Sequence, residues 1–126
     1  MATRSLTIEG ASAARAAGAL RLEALEELQA TCDAGSWRVR SDLAQELACY
    51  LACHPRIRAV RYPGLRWDPD FDRAACTLCG GFGPRVAVLL DDPAAPEGRW
   101  AVLEVGEGAV PDDLDGCVAA LETALA

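Results

Sequence analysis

The chain contains no lysine, and all twelve of its basic side chains are arginines. Enzymes that hold an aldehyde cofactor as a Schiff base need a lysine amine, so this chain alone cannot form that linkage. Histidine is nearly absent too, with His54 as its single representative. A lone histidine beside a proline indicates a helix cap more than a catalytic base, and the sequence gives no Ser/His/Asp constellation.

The sequence also lacks a basic cluster, a long apolar run and an apolar N-terminal segment. Its net charge of −7 argues against nucleic acid and against anionic membranes as partners. No apolar run approaches the roughly 20 residues that span a bilayer. Because no secretory signal pattern is present, the sequence predicts a cytoplasmic protein. We therefore expect neither a nucleic-acid partner nor a membrane partner.

What is present has the length and composition of one globular domain, and we expect residues 1–126 to form it. Of these residues 52% are apolar and 25% are charged, which suffices to bury one core. Apolar residues at a 3.6-residue period predict helices, whereas apolar–polar alternation predicts strands. The predicted helices lie near residues 12–32, 41–53, 70–79 and 111–125, and the predicted strands near 57–62, 85–90 and 99–105.

These elements predict an α+β fold, with a small antiparallel sheet of mainly three strands and helices packed on one face. Ser12 is expected to cap the first helix, and the second helix begins at Ser36 or Ser41. Residues 1–10 are expected to form a short extended segment, with residues 5–8 as its extended part and Gly10 as its end. The residues predicted to be buried are Leu47, Leu51, Val60, Val86, Val88, Val102, Leu114, Val118 and Leu121.

Six cysteines occur without a secretory signal, so thiols or metal ligands are expected before disulfides. Cys76 and Cys79 have the spacing of a zinc knuckle, because two thiolates two residues apart can hold one metal. Cys49 and Cys53, or His54, would complete four ligands. We favour free thiols, because a second knuckle is absent and the partner cysteines lie within a predicted helix. A redox pair is disfavoured because such motifs open a helix, whereas this one closes a helix.

A series of short motifs follows a recognisable order. Between Leu43 and Leu90 a helix ends at His54-Pro55, and a strand then leads into Tyr62-Pro63-Gly64-Leu65. A further helix, Gly81-Phe82-Gly83 and another strand complete this segment. From Arg99 to Ala126 a strand and a final helix follow. In this order the two segments resemble the C-terminal small domain of the Cys/Met-metabolism (transsulfuration) family of pyridoxal-phosphate enzymes, which includes cystathionine γ-synthases and lyases.

The resemblance implies the small-domain fold of fold-type I pyridoxal-phosphate enzymes over residues 36–126, whereas residues 1–35 have no recognised match. The family's cofactor domain, with its lysine, has no counterpart here. The family's final strand carries an arginine that binds the substrate carboxylate, and this chain has Val102 at the matching place. A short loop at Asp91–Gly98 replaces a long stretch that shapes the family's substrate site.

These departures imply a non-catalytic, stand-alone domain that serves protein interaction or small-molecule binding and holds no cofactor by itself. The alternative is one half of a split carbon–sulfur lyase or synthase, which would gain pyridoxal phosphate from a lysine-bearing partner chain. A second alternative is a small zinc-binding protein that uses Cys76 and Cys79.

The segment at residues 1–35 is expected to act as a lid. Without a cofactor domain, one face of the small domain would be bare and apolar, and such a patch is an interaction site. The apolar stripe of this segment can cover that face, and it consists of Leu20, Leu22, Leu25 and Leu28. Otherwise the face would be covered by a second copy of the chain, as a homo-oligomer, or by a protein partner.

Overall fold

The computed structural model of the protein describes residues 6–106 and 114–125, and all statements below concern those residues. The elements are β1 (Leu6–Ala11), α1 (Ala13–Ala19), α2 (Leu22–Ala30), α3 (Ala34–Ala52), β2 (Ile57–Arg61), α4 (Phe71–Thr77), β3 (Arg85–Asp92), β4 (Ala95–Val105) and α5 (Leu114–Leu125). The strands form one antiparallel sheet in the order β1-β4-β3-β2. The prediction of an α+β fold with a small antiparallel sheet is confirmed, whereas the predicted helix start at residues 111–113 lies outside the described residues.

The predicted number of strands is wrong by one, because the N-terminal extended segment is a full strand. β1 pairs with β4 in regular register, from Leu6 opposite Val105 to Ala11 opposite Trp100. Gly10 therefore lies inside the strand and does not end it. A short edge strand pairs with one neighbouring strand only, and here that neighbour is far away in the sequence. The local sequence pattern therefore could not distinguish β1 from an unpaired extended segment.

The prediction that all helices pack on one face of the sheet is also wrong. α3 and α5 cover one face, and α1 covers the other, where Ala16 and Leu20 pack against Ala87. Small side chains on both sides of this contact allow the helix to approach the strands closely. Residues 6–20 thus contribute a strand to the sheet and a cover for one face, whereas Leu22, Leu25 and Leu28 of the predicted lid pack in a separate cluster with Trp37.

Two helix boundaries differ from prediction. The expected helix at 12–32 is divided at Arg21, whose ψ of 139° is extended, into α1 and α2. Ser12 does cap α1, since its hydroxyl accepts a hydrogen bond from the Arg15 N–H at 3.1 Å. α3 begins at Ala34, before either predicted start, because Asp33 caps it by accepting from the Ser36 N–H at 3.1 Å.

The main core lies between the sheet and the pair α3 and α5. Of the residues predicted to be buried, those at the centre of the core have 2% exposure or less: Leu47, Leu51, Val86, Val88 and Leu121. The others are only partly buried, because they lie on the edge strand, on the α1 face or at the margins of α5: Val60, Val102, Leu114 and Val118.

Hydrogen bonds join the segment Tyr62–Leu65 to α3 and to the loop before β3. The buried Tyr62 hydroxyl donates to the carbonyl oxygens of Ser41 and Gly83, at 3.2 and 2.8 Å. Burial raises the pKa of Tyr62 well above its ordinary value, so this phenol remains a neutral donor. Gly64 leaves no room for a side chain, since a Cβ there would collide with Gln45 and with the ring of Tyr62.

Candidate functional site

A partly open cavity of about 390 Å³ lies between the sheet and the last turns of α3 and α5. Its walls include Leu51 near the end of α3 and Leu121 near the end of α5, together with Val88 and Leu103 from the sheet. Each of these four side chains is 2% exposed or less. Ligand cavities in proteins commonly occupy about 300–1,000 Å³ and are mainly apolar, so this cavity is large enough for a small molecule.

Two very small residues face each other in the sheet where it lines the cavity. Gly10 on β1 is directly opposite Ala101 on β4, and both residues line the cavity. A Cβ at Gly10 would meet no atom within 4 Å, so the space beside it is open. The next pair on this face, Ile8 opposite Leu103, is large and packs against the core. We refer to this space as the Gly10 cavity.

Charged side chains surround the mouth of the Gly10 cavity. Arg56, Asp91 and Arg99 contribute to its lining. Asp91 is already bound by Arg58, whose Nε and second guanidinium nitrogen lie 2.9 and 2.8 Å from its Oδ1. Arg99 lies 3.6 Å from Asp92 and its side chain is 68% exposed. The carboxylate in the lining is thus paired with an arginine outside the lining, whereas two guanidinium groups belong to the lining itself.

Beside this mouth, a polar cluster joins the end of α3 to α5. The Tyr50 hydroxyl donates to Glu122 Oε2, and His54 Nε2 lies 3.1 Å from the same oxygen. His54 Nδ1 accepts a hydrogen bond from the Arg56 N–H at 3.1 Å, so its side chain binds the segment after α3, and it is the His54 backbone N–H that donates to the Leu51 carbonyl at the end of the helix, at 3.0 Å. The hydrogen bond from Tyr50, with a second contribution from His54, lowers the pKa of Glu122, and the same bond raises the pKa of Tyr50.

A second charged cluster fixes the other end of the sheet. Arg40 is only 3% exposed, and its Nε donates to the Val105 carbonyl at 2.8 Å. Glu104 bridges two guanidinium groups, with Arg40 at 3.4 Å and Arg85 at 2.9 Å. These contacts pair the buried guanidinium of Arg40 and link α3 to β4.

Val102 lies on the α1 face of β4. It lines a smaller polar pocket with Arg15 and Arg85 among its neighbours. The Arg85 guanidinium is already bound to Glu104 and, at 3.2 Å, to the Ala19 carbonyl. Both contacts of the Arg85 guanidinium are therefore with groups of the protein itself.

The cysteines predicted as metal ligands are all exposed. Cys49 lies on α3 and Cys53 directly follows that helix, whereas Cys76 lies in the last turn of α4 and Cys79 lies two residues beyond it. Within the described ranges no group of three or more His, Cys, Asp or Glu side chains could hold a metal ion. The C-terminal cap of α4 is Leu78, whose ψ of 150° is extended, so Gly80, with φ of 79°, lies in the loop beyond the helix and, contrary to prediction, does not end it.

Sequence patterning missed the residues that form the Gly10 cavity. The available signal was a glycine inside a segment of strand-forming residues, because such a glycine often marks a place where another group approaches the backbone. Arg56 and Arg99 carried no signal, since only the folded sheet brings them to one mouth.

No helix in the described part of the chain is long and apolar enough to cross a membrane. Comparison with protein-family models gives no match, and comparison with curated proteins gives none either. Function must therefore be inferred from the residues and their geometry.

Proposed function

We propose that the chain is a stand-alone, non-catalytic domain of the pyridoxal-enzyme small-domain type that binds a small molecule in the Gly10 cavity. The observation that carries the proposal is the partly open cavity of about 390 Å³ beside Gly10 and Ala101, whose lining combines apolar side chains with charged ones. A concave space of about 300–1,000 Å³ that combines apolar side chains with a few polar groups is the usual form of a small-molecule site.

The order of the elements supports the family part of the proposal. α3 ends before His54-Pro55, β2 leads into Tyr62–Leu65, and α4 precedes Gly81–Gly83. β3, β4 and α5 then follow in the order expected from the resemblance. No family model adds to this, so the resemblance rests on these motifs and their order.

The absence of catalysis is supported by two features of the chain. It has no lysine for a Schiff base. Val102 cannot bind a carboxylate, and Arg85 beside it is engaged with Glu104 and Ala19. A split carbon–sulfur lyase or synthase remains the alternative, in which a lysine-bearing partner chain would supply the cofactor and the carboxylate clamp.

The variant Gly10→Ile tests the proposal, because it places a side chain in the cavity without straining the fold. The φ of Gly10 is not positive, and nothing lies within 4 Å of a Cβ there. A β-branched residue suits a strand, so we expect the free energy of unfolding to rise by about 0.5–1 kcal/mol. We expect binding of 1-octanol, measured by calorimetry or by amide chemical shifts, to be lost.

The matched control is Gly18→Ala, a glycine substitution on α1 at which a Cβ also meets nothing within 4 Å. This helix covers the opposite face of the sheet. We expect the control to gain a similar amount of stability and to bind 1-octanol as the parent chain does. If Gly10→Ile bound the alcohol as tightly as Gly18→Ala, the Gly10 cavity would not be the binding site.

A further inference from the structure

We infer that Cys49 and Cys53 together bind one soft, monovalent metal ion, copper(I), through their two thiolates at the exposed end of α3. The Gly10 cavity takes no part in this site, so the inference goes beyond the proposed function and does not rest on it.

The two thiols lie on one face of the last turns of α3. Cys49 belongs to the helix, and Cys53 directly follows its last residue, Ala52. The backbone still turns there, since the Cys53 N–H donates to the Tyr50 carbonyl at 3.2 Å, and the φ and ψ of Cys53 are −103° and 3°. Side chains four residues apart on a helix are neighbours, with about 5–6 Å between their Cβ atoms. Both thiols are exposed, so one ion can reach the two sulfur atoms from solvent.

The other exposed pair has a metal-binding spacing in the sequence but lacks this backbone. Cys76 lies in the last turn of α4, which ends at Thr77. The ψ of Leu78 is 150°, so the chain leaves the helix before it reaches Cys79. The Cys79 carbonyl accepts a hydrogen bond from the Gln29 side chain, which joins this residue to α2. The structure therefore favours the pair on α3 over the pair that the spacing singled out.

The number of ligands selects the metal. Zinc and iron–sulfur clusters take three or four protein ligands, and in the part of the chain that the structure describes no group of three or more His, Cys, Asp or Glu side chains could hold an ion. Thiolates are soft ligands that favour copper(I), which two thiolates can hold in a linear arrangement. Two S–H bonds break, two Cu–S bonds form and two protons pass to solvent. Copper stays in its monovalent state, so the step needs neither an oxidant nor a reductant.

Two features near the thiols oppose the negative charge of a copper bis-thiolate. The C-terminal end of a helix carries a partial negative charge, and the exposed Glu46 lies one turn before Cys49. Both act on exposed groups, where water and salt screen them. A metal ion has the larger local effect, because it deprotonates a coordinating thiol outright.

The test titrates the reduced full chain with copper(I), kept reduced by ascorbate, in competition with bicinchoninate, whose copper(I) complex is coloured. We expect the chain to withdraw one copper(I) ion per molecule. Cys49→Ser and Cys53→Ser should each weaken the binding by more than about a hundred-fold, because each removes one of two ligands and even the outer partners of a metal site contribute about ten- to a hundred-fold.

The matched control is Cys76→Ser, which removes an equally exposed thiol near the end of another helix. We expect this variant to bind copper(I) as the parent chain does. Labelling with a maleimide gives a second measurement, because bound thiolates are protected from the reagent. Copper(I) should protect Cys49 and Cys53 while Cys76 and Cys79 stay reactive.

Three results would overturn the site. The first is an equal loss of binding in Cys49→Ser and Cys76→Ser, which would mean that copper(I) binds exposed thiols without selection. The second is unchanged binding in Cys53→Ser. The third is a chain that elutes as a dimer when copper(I) is added and needs only one of the two cysteines to do so, because the ion would then bridge two copies.

Discussion

The carboxylate of Asp68, of whose side chain only 2% is exposed, organises the loop between β2 and α4. It accepts hydrogen bonds from Arg61 Nε at 2.9 Å and from the backbone N–H groups of Tyr62 at 3.0 Å and Asp70 at 2.9 Å. Donors from three residues on one carboxylate, with a second Arg61 nitrogen at 3.4 Å, hold the segment in one conformation, which places Tyr62 in the core. A charged acceptor serves this purpose better than an amide, because all of its lone pairs accept.

Replacement of that carboxylate should therefore be costly at the scale of a single residue. We expect Asp68→Asn to lower the free energy of unfolding by about 1–3 kcal/mol, because the amide oxygen cannot satisfy all the donors and Arg61 loses its buried partner. Urea denaturation measures this change. Asp70→Asn is the control, since Asp70 is 41% exposed and contacts Arg61 at 3.2 Å, and we expect a loss below about 1 kcal/mol. Equal losses in the two variants would contradict this account of the loop.

Glycine is the residue type whose role was hardest to foresee. Gly64 and Gly10 are both glycines near apolar residues. The position of Gly64 has no room for a larger side chain, whereas Gly10 faces open space. The sequence indicated a turn at Gly64, because proline precedes it. It did not indicate a cavity at Gly10, because the space depends on Ala101, which β4 brings opposite from far along the chain.

At the scale of elements, periodicity located the strands β2, β3 and β4 to within a few residues. Their alternation is local, so it can be identified without knowledge of the fold. The division of α1 from α2 had no such signal, because Arg21 adopts extended backbone without a proline or glycine beside it. The side of the sheet on which α1 packs could not be predicted either. An apolar stripe shows that a helix packs against something, but it does not show against which surface.

The packing of α1 can be tested with two neighbouring alanines. Ala16 is 2% exposed and faces the sheet, whereas Ala17 is exposed. We expect Ala16→Glu to destabilise the protein by about 2–4 kcal/mol, because it forces a charge into the contact with Ala87 or lifts the helix from the sheet. Ala17→Glu should change the free energy of unfolding by no more than about 0.5 kcal/mol. Similar effects of the two substitutions in urea would mean that α1 does not cover this face.

At the scale of the whole molecule, the fold class was predictable and the site was not. The mixture of helical and strand periods in one short chain was enough to indicate α+β. The Gly10 cavity, by contrast, takes its walls from β1, β3, β4 and the ends of α3 and α5. Only the arrangement of these elements creates it, and no segment of the sequence contains more than a part.

The reactivity of the six cysteines tests the fold of the whole molecule in one labelling experiment. All six are thiols in the structure, and their exposure differs: Cys49, Cys53, Cys76 and Cys79 are exposed, Cys32 is partly buried and Cys117 is buried. We expect a maleimide to label the four exposed thiols first, as followed by mass spectrometry, because reagent access limits the reaction. Cys117, which is 1% exposed, should react only when the protein is unfolded.

The same experiment with added Zn²⁺ decides between the two interpretations of the cysteines. A bound zinc ion takes thiolates as ligands and would protect them from the maleimide. Because no group of three or more metal-ligating side chains in the described ranges could hold an ion, we expect Zn²⁺ to leave the order and rates of labelling unchanged. Cys76→Ser is the control, since it removes one thiol of the knuckle spacing. If Zn²⁺ protected Cys79 in the parent chain but not in Cys76→Ser, the pair would bind zinc, and the free-thiol interpretation would be wrong.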